Sequence, residues 1–81
     1  MYFYLMRDEP DRVRAAVPRH VSHWRGLGLA GYLGGPFADR TGGLIVFEAE
    51  DTSWAAAAVD SDPFAQDGLL QTYWLTQWIP E

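Results

Sequence analysis

Cysteine is absent from this 81-residue chain, so neither a disulfide nor a thiolate metal site can staple the fold. That absence suits a reducing compartment, and a cytoplasmic location is expected. Lysine is absent as well: the six positive residues are all Arg, against 11 Asp and Glu, and the formal charge is −5. Without lysine the chain cannot form a Schiff base with a carbonyl substrate. Without a basic cluster, nucleic acid and anionic membranes are excluded as main partners. No apolar run approaches the length of a membrane span, and the N-terminus lacks a signal-peptide pattern.

What is present is aromatic and apolar. Four Trp, four Tyr and four Phe stand in a chain that is 48% hydrophobic, and each aromatic ring buries a large area for one residue. The length allows one domain, residues 1–81, with a small core and a modest stability margin. With no disulfide to help, association with a second copy is the remaining route to more buried surface.

The pattern along the chain alternates between strand and helix. Residues 1–7 read as an aromatic strand, with Tyr2, Tyr4 and Met6 on one face and Phe3 and Leu5 on the other. Asp8 can cap the helix that follows. From Pro10 to Gly26 the spacing is helical: Val13, Val17, Trp24 and Leu27 share a stripe, and His20 sits in its middle. His23 falls at the edge of that stripe, near solvent. Pro18 is expected to divide or kink this helix. Residues 29–37 form a glycine-rich second strand, and 44–49 form a third that is apolar on both faces. Asp51 and Thr52 open a second helix through Val59. Residues 60–68 are turn-rich, and 70–79 form the last strand.

The order β-α-β-β-α-β predicts an α+β, ferredoxin-like fold, a four-stranded antiparallel sheet with two helices on one face. The other sheet face is left with apolar side chains, so a homodimer through that open face is expected, making a dimeric α+β barrel. Tyr2, Tyr4, Trp74 and Trp78 then either line an aromatic cavity or form the dimer core.

Two residues carry the chemistry. An imidazole titrates near neutral pH and can give or take a proton. His20 is therefore a candidate acid–base group, although a histidine on an apolar stripe can equally be a satisfied core residue. Asp62, in Ser61-Asp62-Pro63-Phe64, reads as a helix cap, yet a carboxylate has two oxygens and can cap while facing a histidine. The glycines of Gly34-Gly35-Pro36-Phe37 lack a phosphate-cradle spacing; this segment either walls a pocket or ends a strand. His20 and His23 lack a local third ligand, so no metal and no cofactor are expected.

Pro18-Arg19-His20, Gly34-Gly35-Pro36-Phe37 and Ser61-Asp62-Pro63-Phe64, with Gly68 and the aromatic last strand, occur here in an order that resembles the YciI-like (YCII-related) family of small dimeric α+β barrel proteins. The resemblance implies a ferredoxin-like fold, a dimer, and an active site whose His and Asp are His20 and Asp62. One branch of that family is associated with dehydrochlorination in chlorinated aromatic breakdown. Related dimeric barrels include muconolactone isomerases and cofactor-independent monooxygenases. The expectation is thus a small enzyme acting by general acid–base chemistry on a cyclic or aromatic molecule, by elimination, isomerisation or lactone rearrangement. The alternative is a non-catalytic module that binds a small ligand or serves a larger enzyme. Gly35, Pro36, Phe37, Phe64, Tyr4 and Trp24 are the candidate substrate-binding residues.

Overall fold

A computed structural model describes residues 1–81. The elements are β1 (Tyr2–Met6), α1 (Pro10–Gly26), β2 (Leu33–Pro36), β3 (Gly42–Val46), α2 (Thr52–Asp60), α3 (Pro63–Gln66) and β4 (Leu70–Leu75). The strands form one sheet in the order β2-β3-β1-β4, with every neighbouring pair antiparallel. This is the ferredoxin-like α+β arrangement expected from the element order.

Alternation along β1 sorts the aromatics. Tyr2 and Tyr4 face the helices and are almost wholly buried, in one core with Ile45, Ala16, Trp24, Ala58, Val59, Phe64 and Leu69. Tyr2 pairs with Ile45 and Leu75, and Tyr4 with Gly43 and Tyr73. Phe3 points the other way and packs on Phe37 and Trp74, at centroid distances of 5.2 and 5.0 Å. That face carries no helix, and Leu33 and Trp74 on it are 74% and 51% exposed. Gly42 and Gly43 are both buried where β3 meets β1, and a methyl group on Gly42 would run into the Tyr4 carbonyl.

Several local expectations are corrected. Pro18 does not divide α1, which is continuous from Pro10 to Gly26. The proline removes one backbone hydrogen bond, but its ring is exposed, and packing of Ala16, His20 and Trp24 against the sheet holds the helix through it. The buried stripe is those three residues, spaced four apart; Val17 lies outside it and is 41% exposed. Asp8 does not cap: Glu9 holds the cap position without a side-chain bond and instead pairs with Arg12 at 2.7 Å. Asp51 does cap α2, accepting from the Trp54 amide at 2.8 Å.

Strand β2 is shorter than the glycine-rich run suggested. Gly31 takes a positive φ of 64° and breaks the chain's extension just before it. Strand β3 begins two residues earlier than expected, at Gly42, and ends at Val46; β4 stops at Leu75, leaving Trp78 and Ile79 outside the sheet. The turn-rich segment after α2 contains the short helix α3. No helix is long and apolar enough to cross a membrane.

Candidate active site

Two local devices bring the candidate residues together. Helix α1 lays its buried face on the sheet in register with β1, so that Trp24 meets Tyr2 and His20 meets Tyr4, at ring distances of 5.6 and 5.8 Å. Between α2 and α3 the chain turns at Asp62, whose extended backbone leads into Pro63 at the first helical position. Proline fixes φ there and has no amide hydrogen to waste. Asp62 thus reaches inward with its side chain and is 0% exposed.

His20 Nδ1 lies 2.8 Å from Asp62 Oδ1 and 3.0 Å from Oδ2. Trp24 Nε1 donates to Oδ2 at 3.0 Å, the Tyr2 hydroxyl donates to it at 3.3 Å, and the Phe64 amide donates to Oδ1 at 2.9 Å. The carboxylate therefore caps α3 and faces the histidine at once. An acceptor-only group surrounded by donors requires Nδ1 to carry a hydrogen, and in the neutral imidazole that leaves the lone pair on Nε2. The His20 ring stacks on Phe64 at 4.0 Å and 12°, which fixes its plane. No protein group bonds Nε2, and that nitrogen is not sealed from solvent, since no buried polar side-chain atom lacks a partner. The arrangement is an imidazole held by a carboxylate, with its second nitrogen free of protein partners.

His23, expected near solvent, is half-buried and donates from Nε2 to the Ala58 carbonyl at 2.8 Å, tying α1 to α2. Of the other candidate binding residues, Trp24 is 1% exposed and serves Asp62 rather than a pocket. Phe64 is the platform under His20, and Tyr4 stands edge-on to it. Phe37 is not brought to His20; strand alternation sends it to the open face, against Phe3. Gly35 pairs with Leu44 on that same face, while Pro36 pairs with Gly43 on the helix side. Two surface clefts lie elsewhere. One of about 980 Å³ is bordered by Arg7, Arg14, Val17 and Arg40, and one of about 330 Å³ by Ala65, Gly68 and Tyr73; neither is lined by His20.

Tyr2 was missed by sequence reading as a partner of Asp62; its place on the Tyr4 face of β1 was the available signal. Burial first, and the Asp62 charge second, push the hydroxyl pKa values of both Tyr2 and Tyr4 well above the ordinary 10.0. Both stay protonated donors. In the unfolded chain these tyrosines ionise from about pH 10 upward, while in the folded chain they do not. The unfolded state then holds fewer protons, so stability is complete below pH 10 and falls above it, by up to about 1.4 kcal/mol per pH unit for each residue. With no lysine to titrate in that range, urea midpoints measured between pH 8 and 12 should report the tyrosines directly. A midpoint that stays level across that window would contradict the buried tyrosine assignment.

A family model, that of the YCII-related domain, matches residues 1–79. No curated protein matches the chain. Among solved structures, the chain is similar to a 5-chloro-2-hydroxyhydroquinone dehydrochlorinase (TftG) from Burkholderia phenoliruptrix, in complex with 2,5-dihydroxybenzoquinone. That match has a TM-score of 0.83 and 24% sequence identity, covering 96% of this chain and 90% of the other.

Proposed function

This chain belongs to the YCII-related family, and from that membership we propose that it is an enzyme in which His20 moves a proton and Asp62 holds His20 in place. The carrying observation is the buried Asp62 carboxylate, which takes His20 Nδ1 at 2.8 Å and leaves Nε2 without a protein partner. Asp62 sets the tautomer that makes Nε2 a base, and it stabilises the imidazolium once the proton arrives. Trp24, Tyr2 and the Phe64 amide occupy its remaining lone pairs and keep it from turning away.

The substrate class follows from the similar dehydrochlorinase, read here as an analogy: a small ring carrying hydroxyl groups and a leaving group. In an elimination, Nε2 takes a proton from the ring or its hydroxyl. The electrons of that bond form a new π bond, and the leaving group departs with its bonding pair. The proton on His20 then passes to water. Isomerisation and lactone rearrangement need the same proton transfer without loss of a group. The test is incubation with 5-chloro-2-hydroxyhydroquinone and measurement of chloride release above the spontaneous rate. Absence of catalysed release removes elimination of that compound from this chain's repertoire.

A second copy of the chain on the open sheet face completes this reading. Phe3, Phe37, Leu33 and Trp74 form an apolar surface there that a soluble monomer rarely shows. Light scattering at micromolar concentration should give twice the chain mass, and Trp74→Glu should return a monomer. A monomeric wild-type chain would rule the pairing out.

A further inference from the structure

A proton-transfer base needs its substrate held, and the dyad itself offers no spare donor, because Nδ1, Trp24 and Tyr2 are all spent on Asp62. The group that remains is Tyr4. Tyr4 is only 4% exposed, yet its hydroxyl makes no hydrogen bond within the protein and is not sealed from solvent. A phenol hydroxyl that reaches solvent and meets no protein group keeps both its donor and its acceptor capacity for a ligand.

Its position is specific. Asp62 binds Tyr2 and Trp24 as well as His20, so it lies on the Tyr2 side of the imidazole. The free Nε2 is on the opposite side of the ring from Asp62, and Tyr4 stands edge-on to that ring at 5.8 Å. The Tyr4 hydroxyl reaches over Gly43, close enough that any Cβ on Gly43 would collide with it. Gly43 pairs with Pro36, and the next helix-side position of β2, Gly34, would place a Cβ 2.9 Å from Ile45 and 3.1 Å from the Tyr32 hydroxyl. Strand β2 is exposed along its whole length. The missing side chains at Gly43 and Gly34 thus make room for the protein's own groups, the Tyr4 hydroxyl over Gly43, and Ile45 with the Tyr32 hydroxyl over Gly34.

We propose that the Tyr4 hydroxyl, lodged over Gly43, donates a hydrogen bond to a substrate oxygen beside His20 Nε2, the ligand being a small planar molecule that bears an acidic hydroxyl or a ring carbonyl. The inference rests on the His20–Asp62 reading and adds the group that orients the ligand. Glycine at 43 is required because a side chain there would take the hydroxyl's place. The phenol keeps its proton at neutral pH, as burial and the nearby Asp62 charge demand, and so remains a donor to an oxygen that gains negative charge.

4-Nitrophenol is a suitable probe, because its visible absorption separates phenol from phenolate. Wild-type protein should bind it saturably. Tyr4→Phe should weaken that binding by about tenfold, the loss of one hydrogen bond to a charged oxygen, at an unchanged melting temperature. His20→Gln should keep probe binding within a few-fold while losing turnover, so the failure of the proton-transfer reading and the failure of the Tyr4 assignment are read separately. Equal affinity in wild type and Tyr4→Phe overturns the assignment. So does the lack of saturable binding by the wild-type protein, or a loss in Tyr4→Phe that tracks a lower melting temperature.

Discussion

Asp62→Ala is expected to lower the melting temperature by about 15 °C or more. The carboxylate is 0% exposed and takes bonds from four groups: His20, Trp24, Tyr2 and the Phe64 amide. Removing it strands all four donors where water reaches them poorly, and it removes the cap of α3. Breaking a buried pair by deleting one partner costs about 3–5 kcal/mol. A domain of this size holds roughly 5–15 kcal/mol in all, and each kcal/mol shifts its melting temperature by about 4–8 °C. Asp62→Asn should fall between, because its amide keeps one acceptor oxygen but turns two hydrogens toward groups that are themselves donors. Circular dichroism melts of the three proteins decide the matter. An alanine variant that melts within about 5 °C of wild type would mean that the network holds far less of the fold than its geometry implies.

His20→Gln carries the largest expected effect on turnover. A positioned acid–base group contributes about 10²–10⁴-fold in rate, and glutamine retains a donor for Asp62 without a titratable nitrogen. The turnover number for the substrate class proposed above should fall by that factor while the melting temperature moves little. Glutamine is preferred to alanine because alanine would remove the donor that His20 gives the buried Asp62 carboxylate, and a glutamine amide N–H can replace it. Progress curves under saturating substrate separate the two effects. A glutamine variant with wild-type turnover would show that His20 is a structural residue, and the case for a proton-transfer enzyme would end there.

Much of this molecule is legible one segment at a time. Aromatic alternation in β1, the stripe that includes His20 and Trp24, the Asp51 cap and the Asp62-Pro63 turn are local signals, set by periods of two and 3.6 residues and by backbone preferences at turns. Reading went astray where a neighbour in space overrode a local rule. Proline 18 interrupts a helix on paper, but the sheet beneath Ala16, His20 and Trp24 holds the helix together. Val17 fits the apolar stripe on paper, but the small Ala16 takes the contact and Val17 turns outward. Phe37 ends a motif that looked like one wall of a pocket; the pleat sends Phe37 and the adjacent Pro36 to opposite faces.

The sequence by itself determined the element order, the antiparallel topology that this order allows, the two-sided apolar sheet and the two residues proposed to move and hold a proton. These follow from periodicity and residue chemistry, which act over a few neighbours. Only the tertiary structure decided what those residues meet. Asp62 is bonded across 42 residues to His20, 38 to Trp24 and 60 to Tyr2, and no local pattern encodes a contact over such separations. The same packing settled that Trp24 serves the carboxylate, that Tyr4 keeps a free hydroxyl, and that one nitrogen of His20 is spent while the other is open. Side-chain partners of this kind exist only once the helix lies on the sheet, because burial is what makes each donor find its acceptor.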